Sequence, residues 1–364
     1  MTIQLGGFFM PNHPPERALV DAHEWDLKVI EHLDTIGFDE AWIGEHFTAP
    51  WEPIVAPDIM IAQAITRTRK IRLGPGGHLL PYYNPAVLAH RIAYLDHLSG
   101  GRIMFGISTG GVPTDWRLFD YVNMGEHNRE KAQEAVEIIL KIWNEPGPWE
   151  YAGKYWNISL PEPMFGSLQY HMKPLQQPHP PLAIAGLSPK SPTLNVAGQY
   201  GLWPLSIAFS HRHLLSHWQS VAEGAERAGR AADRSTWRIN TPVYVAQTDD
   251  EALRQVVDGP IGRAFDEYLM PLWKAAGLIN AFKEDPSDPD DSVTVERMAR
   301  DAWLVGSPRT VADKFVELYR YTGGFGGVLA TVFDHSEPQY EAAWFESLRL
   351  MAQDVMPAVK ARLA

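Results

Sequence analysis

Short apolar segments of strand character alternate with amphipathic segments of helical character along the whole of this 364-residue chain. Strands buried on both faces are nearly continuous apolar runs, whereas helices that cover a sheet place apolar residues on one face. About eight strand–helix units follow one another, which predicts an α/β fold, a (β/α)8 TIM barrel with insertions. The expected strands cover residues 3–10, 40–44, 71–80, 102–108, 181–185, 202–208, 237–246 and 327–333.

Capping residues mark the helices between these strands. Asn84-Pro85 is typical of a helix start, because asparagine caps free backbone N–H groups and proline suits the first helical position. Gly100-Gly101 is typical of the end of that helix, and Ser307-Pro308 begins a later one. The expected helices cover residues 20–36, 86–98, 128–143, 211–227, 308–321 and 340–363.

Two insertions lengthen the alternating pattern, and neither contains a low-complexity linker, which favours a single domain over residues 1–364. The first covers about 146–180 and is expected to form an aromatic hairpin around Gly153. The second covers about 249–301, and its acidic stretch, residues 284–291, is expected to be a solvated loop.

Charge and cysteine content exclude several functional classes. A net charge of −12 disfavours nucleic acid and anionic membranes as partners, because phosphate recognition requires clustered lysine and arginine. The absence of cysteine excludes disulfides, thiolate nucleophiles and cysteine-ligated metals. The sequence has no apolar run of membrane-spanning length, and Met1–Pro11 has the pattern of a first strand instead of a signal peptide. We therefore expect a cytoplasmic protein.

Glu45-His46 follows the second expected strand directly. The carboxyl ends of barrel strands display reacting groups, and histidine exchanges protons near neutral pH. Neighbouring residues of a strand point to opposite faces, so we expect Glu45 to be an inward structural carboxylate, whereas His46 is either a catalytic residue or a hydrogen-bonded structural one. The spacing of His46 and His78 matches no metal motif, and no metal site is expected.

Two glycine-containing segments are candidates for ligand contact. Gly76, Gly77 and His78 lie inside the third expected strand, where bare backbone suits either a flat ring system or a bend of the barrel. The run from Gly186 through Leu187 and Ser188 to Ser191 follows the fifth strand. With Ser188-Pro189 starting a helix, its N–H groups and hydroxyls suit a phosphate, although an ordinary helix cap has the same pattern.

A set of motifs distributed over nearly the whole chain resembles the bacterial luciferase-like flavin monooxygenases. These motifs are Gly44-Glu45-His46-Phe47, His78-Leu79-Leu80-Pro81 with Asn84-Pro85, Leu95-Asp96 with Leu98-Ser99-Gly100-Gly101-Arg102, and Val305-Gly306-Ser307-Pro308. A further segment, Gly259-Pro260-Ile261-Gly262 with Tyr268-Leu269-Met270-Pro271-Leu272-Trp273, is similar to the limonene and diketocamphane monooxygenase branch.

The resemblance implies a barrel that binds reduced FMN noncovalently, supplied by a separate flavin reductase. Oxygen adds to the flavin, and the peroxyflavin oxygenates a small apolar substrate such as a cyclic terpenoid or ketone. By the same resemblance His46 is the active-site histidine and Gly76 and Gly77 lie beneath the flavin ring, with His78 beside them. Cofactor positions also fall on Ser108 and Thr109 near the flavin, and on Gly186, Leu187, Ser188 and Ser191 in the phosphate loop.

The chain also departs from the luciferase α pattern, which has a reactive cysteine and a phosphate-binding arginine at Ser108 and Thr109. We therefore expect an oxygenase that emits no light, with Lys190 as a partial substitute for the arginine. Three alternatives stay open: an F420-dependent oxidoreductase, a non-catalytic flavin-binding protein, and a hydrolase that pairs Glu45 with Asp334. Epoxidation, hydroxylation and Baeyer–Villiger insertion are equally open, and helix-mediated homodimerisation is expected.

Overall fold

A parallel sheet of nine strands forms the wall of a barrel in the computed structural model, which describes residues 3–363. Its strand order is β3-β2-β1-β13-β10-β9-β8-β5-β4. The strands are β1 Gln4–Asn12, β2 Glu40–Ile43, β3 Arg72–Pro75, β4 His78–Leu79, β5 Phe105–Ser108, β6 Trp149–Ala152, β7 Asn157–Leu160, β8 Leu182–Gly186, β9 Trp203–Ile207, β10 Arg238–Thr241, β11 Val243–Val245, β12 Leu304–Gly306 and β13 Gly327–Phe333.

The barrel closes because β3 and β4, at the two ends of the strand order, are halves of one expected strand. The Leu73 N–H donates to the carbonyl of Arg102 at 3.0 Å, and β4 pairs with β5. Glycine makes this seam possible: a Cβ on Gly106 would lie 2.1 Å from the carbonyl oxygen of Pro75. The predicted (β/α)8 fold is confirmed.

Helices follow most wall strands and cover the outside of the barrel. They are α1 Leu19–Ile36, α2 Pro57–Arg67, α3 Pro85–Ser99, α4 Pro113–Phe119, α5 Asn128–Asn144, α6 Pro192–Tyr200, α7 Leu214–Arg227, α8 Asp249–Val257, α9 Pro260–Ala264, α10 Met270–Ala275, α11 Val295–Asp301, α12 Pro308–Thr322, α13 Pro338–Leu350 and α14 Met356–Leu363. None of these described helices is both long and apolar enough to cross a lipid bilayer.

The predicted caps form as the sequence indicates. Asn84 accepts hydrogen bonds from the N–H groups of Ala86 and Val87, and Gly100 ends α3 with a φ of 68°. Ser307 accepts from the Thr310 N–H at the start of α12. Helix α2 was not predicted from the sequence.

The expected strand 237–246 is wrong in its length, because Pro242 interrupts it. Proline has no N–H to donate to a sheet ladder, so β10 ends at Thr241 and β11 pairs with β12 instead of the wall. The intervening insertion holds helices α8 to α11 and a π-helical turn, Phe265–Leu269, between α9 and α10. Its acidic stretch is mostly exposed, as expected.

The expected aromatic hairpin is present as the antiparallel pair β6–β7. Glu134 of α5 accepts hydrogen bonds from the backbone N–H groups of Lys154, Tyr155 and Trp156 in its turn. The Tyr151 hydroxyl also donates to Glu137 of α5, at 3.0 Å. These contacts place the hairpin on the outer helical layer, so its aromatic residues cover the barrel.

A buried histidine joins the carboxyl ends of β1 and β13 to α1. His13 lies 3.0 Å from Asp26 through Nε2 and 2.7 Å from Asp334 through Nδ1, and Arg17 lies 2.8 Å from Asp334. Burial disfavours the charged imidazole, but the two carboxylates outweigh it and raise the pKa of His13 to about 9. The cluster is therefore an imidazolium held between two acids.

We expect the free energy of unfolding to fall between about pH 6.5 and pH 9, in part because of His13. A group whose pKa is raised on folding stabilises the protein fully below its unfolded pKa and loses that contribution as pH rises through the folded value. The contribution is on the order of 3 kcal/mol. Denaturant titrations at several pH values measure it. His13→Gln should flatten this slope, whereas a slope equal to that of the exposed control His90→Gln would contradict the assignment.

Candidate active site

Glu45 and His46 lie at the carboxyl end of β2 and point in different directions. The Glu45 side chain is buried and accepts from the Leu79 N–H at 2.9 Å and from the Tyr83 hydroxyl. Its Oε2 also lies 3.1 Å from His78 Nδ1. Glu45 therefore ties β2 to β4, and this supports the structural role expected for it.

His78 is placed inside the wall and does not face the mouth of the barrel. Its side chain is 0% exposed, and its ring lies between those of Tyr83 and Phe105, with both contacts edge-on. Any contact with a ligand must therefore come from its backbone, and the flavin contact expected of His78 stays a prediction.

His46 keeps an accessible face, with its side chain 26% exposed. Its Nε2 lies 2.9 Å from the buried carboxylate of Glu52, which also accepts from the Tyr268 hydroxyl at 2.6 Å. Burial disfavours the charged ring, but the Glu52 charge raises the pKa of His46 above its ordinary value. Its Nδ1 has no hydrogen-bond partner among the described residues. Sequence reasoning missed Glu52 and Tyr268.

Gly76 and Gly77 form the break between β3 and β4. The Gly76 N–H donates to the Ile43 carbonyl of β2, and a Cβ on Gly77 would lie 2.9 Å from Cβ of Ser108. The bend of the barrel that the sequence left open is present here. Contact of these two glycines with a flavin ring stays a prediction.

The segment after β8 differs from the expectation in where its helix starts. Ser188 is exposed, Lys190 has a positive φ of 51°, and α6 begins only at Pro192. Ser191 is the helix cap, because its hydroxyl accepts from the Leu194 N–H. The predicted start at Ser188-Pro189 is therefore wrong, although Gly186, Leu187, Ser188 and Ser191 do form one loop at the carboxyl end of β8.

His217 of α7 holds this loop in place. The residue is buried; its Nε2 lies 3.1 Å from the carbonyl oxygen of Ser188, and its Nδ1 lies 3.1 Å from the Ser206 hydroxyl. Burial lowers the pKa of His217 to about 4. The ring is therefore neutral near pH 7 and donates from Nε2 to the loop.

A cavity of about 270 Å³ opens beside the carboxyl end of β5, between α5 and α6. Ser108 and Thr109 line it, as do Arg129 of α5 and Thr193 of α6. Arg129 is exposed and has no hydrogen-bond or ion-pair partner within residues 3–363. This cation was missed from the sequence, although it stands in the first turn of α5, the second helix after β5. Of the predicted cofactor residues, only Ser108 and Thr109 line this cavity.

The structure does not pair the two acids that the hydrolase alternative requires. Glu45 is bound to the residues of β4 and the turn after it, whereas Asp334 is bound to His13 and Arg17. The two carboxylates thus belong to separate hydrogen-bonded clusters. Within the described part of the chain, no three histidine or acidic side chains are grouped to hold a metal ion.

Comparison with known proteins gives matches over nearly the full length. The chain is 33% identical to 3,6-diketocamphane 1,6-monooxygenase of Pseudomonas putida, over 99% of both chains. It is 30% identical to limonene 1,2-monooxygenase of Rhodococcus erythropolis, over 98% of this chain and 86% of that protein. These matches confirm the branch that the sequence motifs indicated.

A solved structure has the same fold with a TM-score of 0.92, at 33% identity and over 98% of this chain and 99% of the other. It is the oxygenating constituent of 3,6-diketocamphane monooxygenase from Pseudomonas putida, described as a type II Baeyer–Villiger monooxygenase in complex with FMN. Residues 7–324 match the family described as luciferase-like monooxygenase. The chain is therefore an oxidoreductase that belongs to the luciferase-like monooxygenase family.

Proposed function

We propose that this protein uses reduced FMN and O2 to insert one oxygen atom beside the carbonyl of a small cyclic ketone. The observation that carries the proposal is the full-length match to the FMN-bound Baeyer–Villiger relative, in fold and in sequence. The limonene relative keeps oxygenation of a terpene as the second candidate. Solved structures of F420-dependent enzymes share only the fold, at 19% and 21% identity.

The donor groups around the β5 cavity fit a flavin phosphate. Arg129 supplies an unpaired guanidinium, and Ser108, Thr109 and Thr193 supply hydroxyls on the same cavity. A phosphate prefers a bidentate guanidinium with additional neutral donors. Arg129 therefore replaces the arginine that is absent at Thr109, and it is better placed than Lys190, which does not line this cavity.

The barrel residues bind, orient and shield, while bound reduced FMN supplies the electrons and the position at which O2 is activated. His46 offers a partly exposed imidazole at the carboxyl end of β2, where developing negative charge on a ligand oxygen requires a donor. The rings of Phe47, Tyr82 and Phe119 pack together, with Tyr82 and Phe119 stacked at 4.3 Å. This aromatic cluster gives the segment beside His46 an apolar surface.

A single-turnover experiment tests the proposed reaction. Protein loaded with FMNH2 is mixed with isotopically heavy O2 and a panel of bicyclic ketones and monoterpenes, and the products are read by mass spectrometry. We expect one heavy oxygen atom in a lactone, and His46→Ala should oxidise the flavin with little product. Turnover with reduced F420 in place of FMNH2, or flavin oxidation without any oxygenated product, would contradict the proposal.

Replacing Arg129 should weaken FMN binding selectively. Loss of a charge-assisted hydrogen bond to the phosphate corresponds to a roughly tenfold to hundredfold rise in Kd for Arg129→Ala. Fluorescence titration with FMN and with riboflavin, which has no phosphate, separates this effect from a general distortion. The affinity of Arg129→Ala for riboflavin should equal that of the parent protein. The exposed control Arg117→Ala should bind FMN as tightly as the parent protein does. Equal weakening of FMN and riboflavin would contradict the phosphate contact.

A flavin reductase is the expected partner, and the cytoplasm is the compartment that we propose from the cysteine-free sequence. A homodimer is proposed through the face formed by α1, α2 and α3, in which α2 contacts both α1 and α3. This face exposes large apolar side chains, namely Leu19, Val20, Ile59, Val87, Tyr94 and Leu98. Burial of such side chains drives association.

Charge on this face should dissociate the dimer. Ile59 is 60% exposed and Val87 is 50% exposed, so Ile59→Glu combined with Val87→Glu leaves the monomer core intact. Sedimentation velocity should show a dimer for the parent protein and a monomer for the double variant. The control Leu272→Glu, at an exposed position of α10, should remain dimeric. A monomeric parent protein would refute the interface.

A further inference from the structure

Three described histidines at strand ends of this barrel contact acidic side chains, and only one of the three is partly exposed. His13 is enclosed by two carboxylates, and His78 is 0% exposed. His46 is 26% exposed, whereas its partner Glu52 is 4% exposed. A buried acid beside a partly open histidine is the arrangement that holds a catalytic imidazole in one orientation.

The backbone around Glu52 fixes its position relative to His46. The His46 N–H donates to the carbonyl of Ile54 at 3.0 Å, and the Glu52 N–H donates to the carbonyl of Ala49 at 2.8 Å. The His13 N–H donates to the carbonyl of Trp51 at 2.9 Å. The segment after β2 thus folds back on itself and is attached to the end of β1.

Tyr268 reaches this segment from the second insertion. It stands in the π-helical turn Phe265–Leu269, a local distortion that is common at functional sites. Its ring stacks on that of Trp51, with centroids 5.7 Å apart and planes at 6°. Its hydroxyl donates to Glu52 Oε1 at 2.6 Å. The segment that distinguishes this branch of the family therefore touches the acid that faces His46.

The charges that act most strongly on His46 are negative. Glu52, Asp115 and Glu45 each act on the ring as carboxylates, and Tyr268 faces it through Glu52. A buried carboxylate is costly unless it is paired and hydrogen-bonded. Glu52 meets that requirement with two groups, the imidazole of His46 and the hydroxyl of Tyr268. The arrangement therefore favours an ionised acid beside a protonated ring.

The geometry points to Glu52 and Tyr268 as positioning residues that hold the His46 ring in one orientation and keep it protonated, so that it meets the reacting ligand as a donor. The Nε2 of His46 lies 2.9 Å from Glu52, whereas its Nδ1 is buried and has no hydrogen-bond partner among the described residues. His46 is then a donor and not a general base. The identity of the ligand in this inference rests on the proposed monooxygenase function. The pairing of His46 with Glu52 does not depend on that function.

Histidine-selective NMR of the ligand-free protein tests the pair without any turnover. The His46 signal is identified by its loss in His46→Ala, and its titration is followed in the parent protein and in Glu52→Gln. We expect the His46 titration midpoint to fall by about one to two pH units when the charge is removed. An unchanged midpoint overturns the pairing. The exposed control Glu162→Gln should leave the midpoint where it is.

The pH profile of oxygenation tests the donor role. Oxygenated product per flavin oxidised should be high below the His46 midpoint and fall as pH rises through it. In Glu52→Gln this fall should move to lower pH by the same interval that NMR measures. A fall that does not move, or a yield that rises with pH as a general base requires, overturns the donor role while leaving the monooxygenase assignment intact.

Tyr268→Phe provides the second variant, because it removes one hydroxyl and leaves the stacked ring. We expect a smaller shift of the His46 midpoint in the same direction, with Tyr321→Phe at an exposed position as its control. If Glu52→Gln does not fold, Tyr268→Phe tests the pairing of His46 with Glu52 instead. A parent protein that yields no oxygenated product refutes the proposed function, whereas the NMR midpoint still decides the pairing.

Discussion

The buried carboxylate of Glu45 is the contact on which the geometry of the candidate site depends. It accepts hydrogen bonds from the backbone of Leu79 and from Tyr83, and it thereby joins the carboxyl end of β2 to the strand segment beyond the glycine break. Adjacent residues of an extended chain point in opposite directions. Because the Glu45 side chain is held within the wall, His46 is directed away from the wall. A buried carboxylate without such donors would be costly, so this orientation is strongly determined.

Histidines elsewhere in the barrel show why sequence position alone does not define a role. His13 and His78 also stand at strand ends, but both are enclosed by protein and serve as internal connections. His217 is neutral and holds the loop at Ser188. His46 differs because it faces an acid and still has a side chain that is 26% exposed, whereas the other three rings are buried. Burial and partners separate these four rings.

The two regions proposed to contact the flavin lie at the ends of different strands. The cavity with Arg129 lies beside β5, and the acid–histidine pair lies beyond β2. The break at Gly76 and Gly77 lies between them, in contact with Ile43 on one side and Ser108 on the other. An extended cofactor anchored by its phosphate at one point and met by a proton donor at another suits this separation.

The sequence alone determined the barrel, the family and the position of His46, because hydrophobic period, helix caps and short motifs are local properties of the chain. It also indicated that Glu45 and His46 divide their roles, since that follows from the alternation of a strand. Only the tertiary structure brought Glu52 and Tyr268 to His46, 216 residues apart from each other in sequence, and Arg129 to Ser108 and Thr109. Likewise, only the tertiary structure showed that His217 is buried and that α6 begins at Pro192. These features depend on contacts between distant segments, and local patterns carry no information about which distant side chain will satisfy a buried charge.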